Sequence, residues 1–183
     1  ISEYLATGCP LERMLFRSAD FYEQHNVQTL LDKKVTEIDA DDHSVTLTDG
    51  SKIAYEKLLL ATGGIPIFPK MEGSELQGVF SFTTLNDAKA IDEYLKRQHK
   101  AKIHAVVIGG GLIGVSVTEA LVKRDVEVNI VKMKDRVLNT ILDQEASNLE
   151  AIELKKAGVE IITDHTVSKI ISYIPDIVTG VTL

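Results

Sequence analysis

Four glycines set close together are the residues of this sequence best placed to do chemistry. Gly109, Gly110 and Gly111 are followed by Leu112, Ile113 and Gly114, which gives G-x-G-x-x-G spacing. In that spacing the first glycine permits a tight turn, and the second leaves no Cβ between a pyrophosphate and the backbone. The last lets a helix lie close on a sheet. The start of that helix offers unpaired N–H groups and a partial positive charge to phosphates. The motif has the flanks it needs. Residues 103–108 are an apolar, β-branched run that suits a strand buried on both faces. Residues 115–124 put Val115, Thr118, Leu121 and Val122 on one helical stripe, and residues 126–131 make a second buried strand. This β-turn-α-β unit of about thirty residues is expected to bind a dinucleotide. The bland alternative is a doubly wound domain whose glycine turn is only structural.

The end of the second strand points to which dinucleotide. An Asp or Glu there would accept hydrogen bonds from the ribose hydroxyls of NAD. This chain has Lys132, with Arg136 four residues on, and the nearest acids, Glu127 and Asp135, fall elsewhere. Two cations suit the 2′-phosphate of NADP better than the ribose diol of NAD. NADP is therefore expected over NAD.

Composition bounds what else the chain can be. With 183 residues, a formal charge of −7 and 44% hydrophobic residues, it is a globular chain of one large or two small domains. The negative balance argues against a nucleic-acid surface, and no apolar run reaches the roughly twenty residues that span a bilayer. One cysteine, Cys9, excludes an internal disulfide or a Cys-x-x-Cys pair and reads as a small packed or loop residue. A reducing, cytoplasmic setting fits. The histidines (His25, His43, His99, His104 and His165) stand singly, without metal-ligand spacing. No catalytic side chain and no metal site is assigned.

Residues 10–26 predict a helix with Leu11, Met14, Leu15 and Ala19 on one face and Phe21 and Tyr22 near its end. The period then falls to two. Strands are expected at 27–31, 35–38, 44–47 and 53–55, forming an antiparallel meander with a tight turn at 48–51. Residues 57–60 predict another buried strand, running into Ala61, Thr62, Gly63 and Gly64 and then Pro66 and Pro69. After a turn-rich stretch at 71–76 come a short strand at 79–82 and a helix from Thr84, capped by Asp87, to about Gln98. Residues 97–102 read as a solvated loop. A helix at 142–157 ends at Gly158, followed by strands at 159–162, 166–171 and 177–183. The chain opens on Ile1 and stops at Leu183 within an apparent strand, so it is expected to be an internal segment of a longer protein.

In this order the pieces resemble the two-dinucleotide flavoproteins, the pyridine nucleotide-disulfide oxidoreductase-like family. The ferredoxin, rubredoxin and nitrite reductase and apoptosis-inducing-factor-like branch is the most similar. The resemblance rests on Leu15, Arg17, Phe21 and Tyr22, on residues 34–39, on residues 55–64 with their Ala-Thr-Gly, and on residues 107–138. It implies an α/β fold: part of an FAD-binding domain with an antiparallel meander at 1–80, then a truncated, Rossmann-like three-layer NAD(P)-binding domain at 81–183. Ala61, Thr62 and Gly63 would touch FAD, and the backbone at Val35 would lie near its adenine. Gly109, Gly110, Gly111, Leu112, Ile113 and Gly114 would hold the pyridine nucleotide. Leu112 stands where the family often has a Tyr or Phe gate, and Ser116 and Lys132 stand where Glu is common. The family's FAD pyrophosphate motif is expected upstream of Ile1, and its ribityl-binding Gly-Asp segment beyond Leu183. The resemblance implies a parent enzyme, an FAD-dependent NAD(P)H oxidoreductase, with a small electron-transfer protein as candidate partner and this segment inactive by itself. The competing expectation is a Rossmann-like binding or regulatory module whose redox activity has lapsed.

Overall fold

The computed structural model describes residues 1–66, 70–98 and 102–183. Pro69, His99 and the centre of the 97–102 loop, all read above, lie outside them. The chain forms two compact units, one of residues Leu15–Ile65 and one of Ile1–Met14 with Pro66–Leu183. Residues 1–14 and 70–80, grouped in the sequence with the first domain, thus pack in the larger unit.

The larger unit begins with α1 (Ser2–Thr7), a helix too short to show a period in the sequence, closed by Gly8 at φ 63°. Its Leu5 is fully buried. In the smaller unit α2 (Phe21–Gln24) is a single turn. The continuous helix expected over 10–26 is absent. A 3₁₀ turn occupies Leu11–Met14, the Phe21 N–H bonds back to Ser18 O, and Leu15 and Phe16 are exposed. The Ser18 to Asp20 turn closes on itself instead of continuing the helical bonding, and Phe16 finds no apolar surface to pack on.

The meander follows: β1 (Val35–Asp39), β2 (Ser44–Leu47) and β3 (Lys52–Ala54), antiparallel in that order. Val45 and Leu47 are its buried centre. The tight turn stands as read: the Gly50 N–H donates to Leu47 O at 2.9 Å, and Gly50 takes φ 81°. Two expected strands do not form. Residues 27–31 are bounded by left-handed residues at Asn26 and Asp32, which break an extended run. Residues 57–60 pair with no strand among the described residues, and Leu59 is 86% exposed.

In the larger unit, residues 79–82 are irregular rather than a strand. Helix α3 (Leu85–Arg97) carries the predicted capping box, with the Asp87 N–H donating to Thr84 Oγ1 and the Thr84 N–H to Asp87 Oδ2. Then come β4 (Ile103–Ile108), α4 (Leu112–Val122), β5 (Val126–Val131), α5 (Gln144–Lys156), β6 (Glu160–Ile162), β7 (Lys169–Ile171) and β8 (Gly180–Thr182). Strands β4, β5 and β6 form a parallel sheet in sequential order, so right-handed crossovers put α4 and α5 on the same face. Val107, Val128, Ile130, Val115, Leu121 and Leu154 fill that layer, joined by Leu5, Ala88 and Ile91. The β7–β8 hairpin covers part of the other face, with Val167 and Ile170 against Val131. Helices, parallel sheet and antiparallel hairpin make three layers.

Strand β4 is buried on one face only, against expectation. Val107 is enclosed, while Val106 and Ile108 are 42% and 47% exposed; the hairpin packs on β5 and β6, at Val131 and Ile162. An ion pair on the buried Asp92, unread in the sequence, ties α1 and α3 to the turn after α4. Arg124 Nη1 donates to Asp92 Oδ1 and to Leu5 O, both at 2.9 Å, and Lys96 Nζ meets Asp92 Oδ2 at 2.6 Å. No helix among the described residues is long and apolar enough to cross a membrane.

Candidate dinucleotide site

The glycine turn sits at the carboxyl end of β4, where open α/β sheets bind ligands. The Gly109 N–H donates to Val131 O at 2.8 Å, which carries the β4–β5 ladder one residue past the strand. Gly109 then turns at φ 109°, a conformation L side chains rarely adopt. Gly111 caps α4 in an extended conformation, and the first helical bond runs from the Val115 N–H to Gly111 O at 2.9 Å. The N–H groups of Leu112, Ile113 and Gly114 precede that bond and are therefore the free donors of the helix start.

The requirement at Gly114 is sharper than the sequence indicated. A Cβ there would lie 2.0 Å from Gly109 O, whereas the nearest sheet side chain, Val107 Cγ1, would be 3.5 Å away. The turn's own carbonyl excludes a side chain more than the sheet does. A Cβ at Gly111 would meet nothing within 4 Å, which is the open cradle a pyrophosphate needs. Leu112 and Ile113, 65% and 54% exposed, lie at the mouth of this turn.

The loop after β5 forms the other wall. Lys132 is half-buried, its N–H bonded to Ile162 O at 2.8 Å, and its Cδ would be 3.4 Å from a Cβ on Gly110. The lysine stem therefore runs along the glycine turn, and its ammonium has no ion-pair partner among the described residues. Arg136 Nη1 pairs with its neighbour Asp135 at 3.1 Å, and its Nε is buried without a hydrogen-bond partner. Val137 and Leu138, not singled out in the sequence, close the wall: Val137 Cγ1 would be 3.0 Å from a Cβ on Gly110, and the Leu138 N–H donates to Gly110 O at 2.7 Å. The apolar pair Val137-Leu138 soon after β5 was the signal that could have found them. Glu127 lies at the opposite end of β5, bonded to Lys102 and 3.1 Å from His104. Lysine and hydrogen bonding hold its carboxyl below the usual range.

These residues fit a pyridine dinucleotide, with an open phosphate cradle, free helix donors and the Lys132 stem beside the turn. The expected flavin contacts lie in the smaller unit. Val35 begins β1 and is 45% exposed, and Ala61, Thr62 and Gly63 form an exposed irregular segment with Gly63 at φ 72°. They offer backbone and a hydroxyl, and no helix start or glycine cradle for a pyrophosphate stands among them.

Comparison with known proteins agrees. The profile of the pyridine nucleotide-disulphide oxidoreductase family matches residues 2–176. The chain is 35% identical to the rubredoxin-NAD(+) reductase of Pseudomonas putida over 158 residues, which is 86% of this chain and 39% of that protein. It is 29% identical to the NADH oxidase of Methanocaldococcus jannaschii over 156 residues, 83% of this chain and 34% of the relative. Among solved structures, a ferredoxin reductase from Rhodopseudomonas palustris superposes with TM-score 0.87 at 26% identity, covering 98% of this chain and 43% of that one. A NAD-dependent persulfide reductase from A. fulgidus gives TM-score 0.84 at 31% identity, covering 97% and 34%. The chain thus spans well under half the length of each of these relatives.

Proposed function

Because this chain belongs to the pyridine nucleotide-disulphide oxidoreductase family, whose cofactors are FAD and NADH or NADPH, we infer that it is the nucleotide-binding part of an FAD-dependent NAD(P)H oxidoreductase. The observation that carries this reading is the open space at Gly111 above a helix start with free N–H groups. Gly109 to Gly114 would hold the pyridine nucleotide, and Leu112 would border the nicotinamide. Lys132 and Arg136 would meet the adenosine ribose, which favours NADPH over NADH. Val35, Ala61, Thr62 and Gly63 would contact the flavin. With both cofactors bound, hydride passes between nicotinamide and flavin, and the protein contributes placement and electrostatics. A small electron-transfer protein as acceptor is part of the reading, supported by the rubredoxin reductase among the relatives. So is a reducing, cytoplasmic setting, supported by the single cysteine, Cys9.

Gly111→Val tests it. The helix cap has φ −86°, which valine accepts, but the added methyls would fill the cradle. Calorimetric titration with NADPH should show affinity reduced about a hundredfold, equivalent to about 3 kcal/mol, with little change in the thermal melt. Equal affinity in variant and parent removes this loop from the site. A parent chain that binds no nicotinamide nucleotide favours the lapsed, non-redox module instead.

A further inference from the structure

One backbone in the site is in a conformation that its residue type does not favour. Seven described non-glycine residues have left-handed φ; six are Asn, Asp or His, and the seventh is Leu138, at φ 54°. Asn, Asp and His tolerate that region, whereas a bulky aliphatic residue enters it only when its surroundings hold it there. We propose that Leu138 is a positioning residue of the dinucleotide site. Its left-handed backbone fixes the Gly110–Gly111 peptide so that the Gly111 N–H faces the phosphates. This rests on the dinucleotide reading above.

The geometry is simple. In a trans peptide the carbonyl and the following N–H point in opposite directions. The Leu138 N–H takes the Gly110 carbonyl at 2.7 Å, and Leu138 is buried, so that carbonyl points into the protein. The Gly111 N–H therefore points the opposite way, away from Leu138. Leu138 is held from its other end as well, since its carbonyl accepts from the Ile141 N–H at 3.0 Å and the Leu142 N–H at 2.9 Å. Ile141 and Leu142 lead into α5. One residue thus ties the glycine turn to the start of the next helix, and a rotation of φ to negative values would withdraw its N–H from Gly110.

Two substitutions separate backbone from packing. Leu138→Gly favours the left-handed conformation but empties a buried site, and Leu138→Val keeps most of the volume but resists positive φ. Thermal melts and calorimetric titrations with NADPH and with NADH should rank the pair in opposite orders. The glycine variant should melt lower and bind within about twofold of the parent, while the valine variant melts higher and binds about tenfold more weakly. Affinities that follow melting temperatures, or that equal the parent's in both variants, overturn the proposal. If the valine variant does not fold, amide NMR of the parent decides. Protection at Leu138 and a NADPH-dependent shift at Gly111 are expected, and an unprotected Leu138 amide overturns the proposal. A parent that binds neither nucleotide overturns the dinucleotide reading, and this proposal with it.

Discussion

Residues 57–64 and 103–111 carry the same kind of message, an apolar run that ends in glycines. In the larger unit the run becomes β4, paired along its whole length with β5 and covered by α4, and its glycines fold into a cradle. In the smaller unit the run stays irregular, with Leu59 and Leu60 86% and 64% exposed, and its glycines lead into no helix among the described residues. Sequence type alone does not account for the difference. A buried strand needs a neighbour for its N–H and C=O groups and a layer over its side chains. Residues 103–108 have both within the next thirty residues, and residues 57–60 have neither among the described ones.

The same methyl added to a glycine of each unit should have very different effects. Gly114→Ala places a Cβ 2.0 Å from Gly109 O, which no rotamer change relieves. It should cost about 3 kcal/mol or more and abolish nucleotide binding, read as a lowered melting temperature and a flat titration. Gly63→Ala meets no atom and carries only the strain of φ 72°, roughly 1 kcal/mol, less if the exposed segment relaxes. If both variants lose equal stability, the smaller unit's glycines are as constrained as the larger unit's, and the contrast fails.

Ion pairs differ between the units in the same way. Asp92 is 5% exposed and joined to Arg124 and Lys96, whereas Asp49 in the smaller unit pairs with Lys33 at the surface. Asp92→Asn leaves a partly buried guanidinium without its counter-charge and should cost about 3 kcal/mol. Asp49→Asn should leave the melting temperature where it was. Burial pushes the Asp92 carboxyl up, but hydrogen bonds and charge from Lys96 and Arg124 outweigh that and hold it below its ordinary value. A carboxyl lowered in the folded state stabilises in full above its unfolded value, about 4, and the contribution is lost as pH falls through the folded value. Melting temperatures measured from pH 7 to pH 3 should therefore fall less steeply in Asp92→Asn than in the parent. Parallel curves would show that the pair carries no such linkage.

How much of this was legible depended on whether the signal was local. The β-turn-α-β unit, the Thr84–Asp87 capping box, the Gly50 turn and the end of α5 at Gly158 were all readable, because each is decided within a few residues by periodicity, capping or backbone freedom. The failures needed partners from elsewhere in the chain. The run at 10–26 has helical spacing but no surface to pack on, and residues 27–31 look like a strand until the left-handed Asn26 and Asp32 are seen. Within the site, the stem of Lys132 lies against the glycine turn, a contact that its place after β5 does not by itself specify. The apolar pair Val137-Leu138 marks a packed wall, but the backbone angle of Leu138 could not be read, because leucine gives no hint of a positive φ. The Asp92–Arg124 pair spans thirty-two residues, too far for any spacing rule to join.

The smallest effect expected concerns two lysines, one in each unit. Lys33 is neutralised by Asp49 at 2.6 Å, whereas Lys132 lies beside the glycine turn with no ionic partner among the described residues. A 2′-phosphate at the end of β5 would gain a charge-assisted bond from Lys132, and a ribose diol there lacks the carboxylate it would otherwise donate to. One such contact is worth about 1.5 kcal/mol, or about tenfold in affinity. NADPH should therefore bind the parent more tightly than NADH by about that factor. The margin should narrow as salt rises, because the lysine is partly exposed. Lys132→Glu should reverse the order, Lys132→Gln should bring the two affinities together, and Lys33→Glu should change neither. Equal binding of both nucleotides, unmoved by Lys132→Glu, would leave Lys132 a solvated strand-end residue. Reversal without a salt dependence would assign the preference to the ribose acceptor instead of the phosphate.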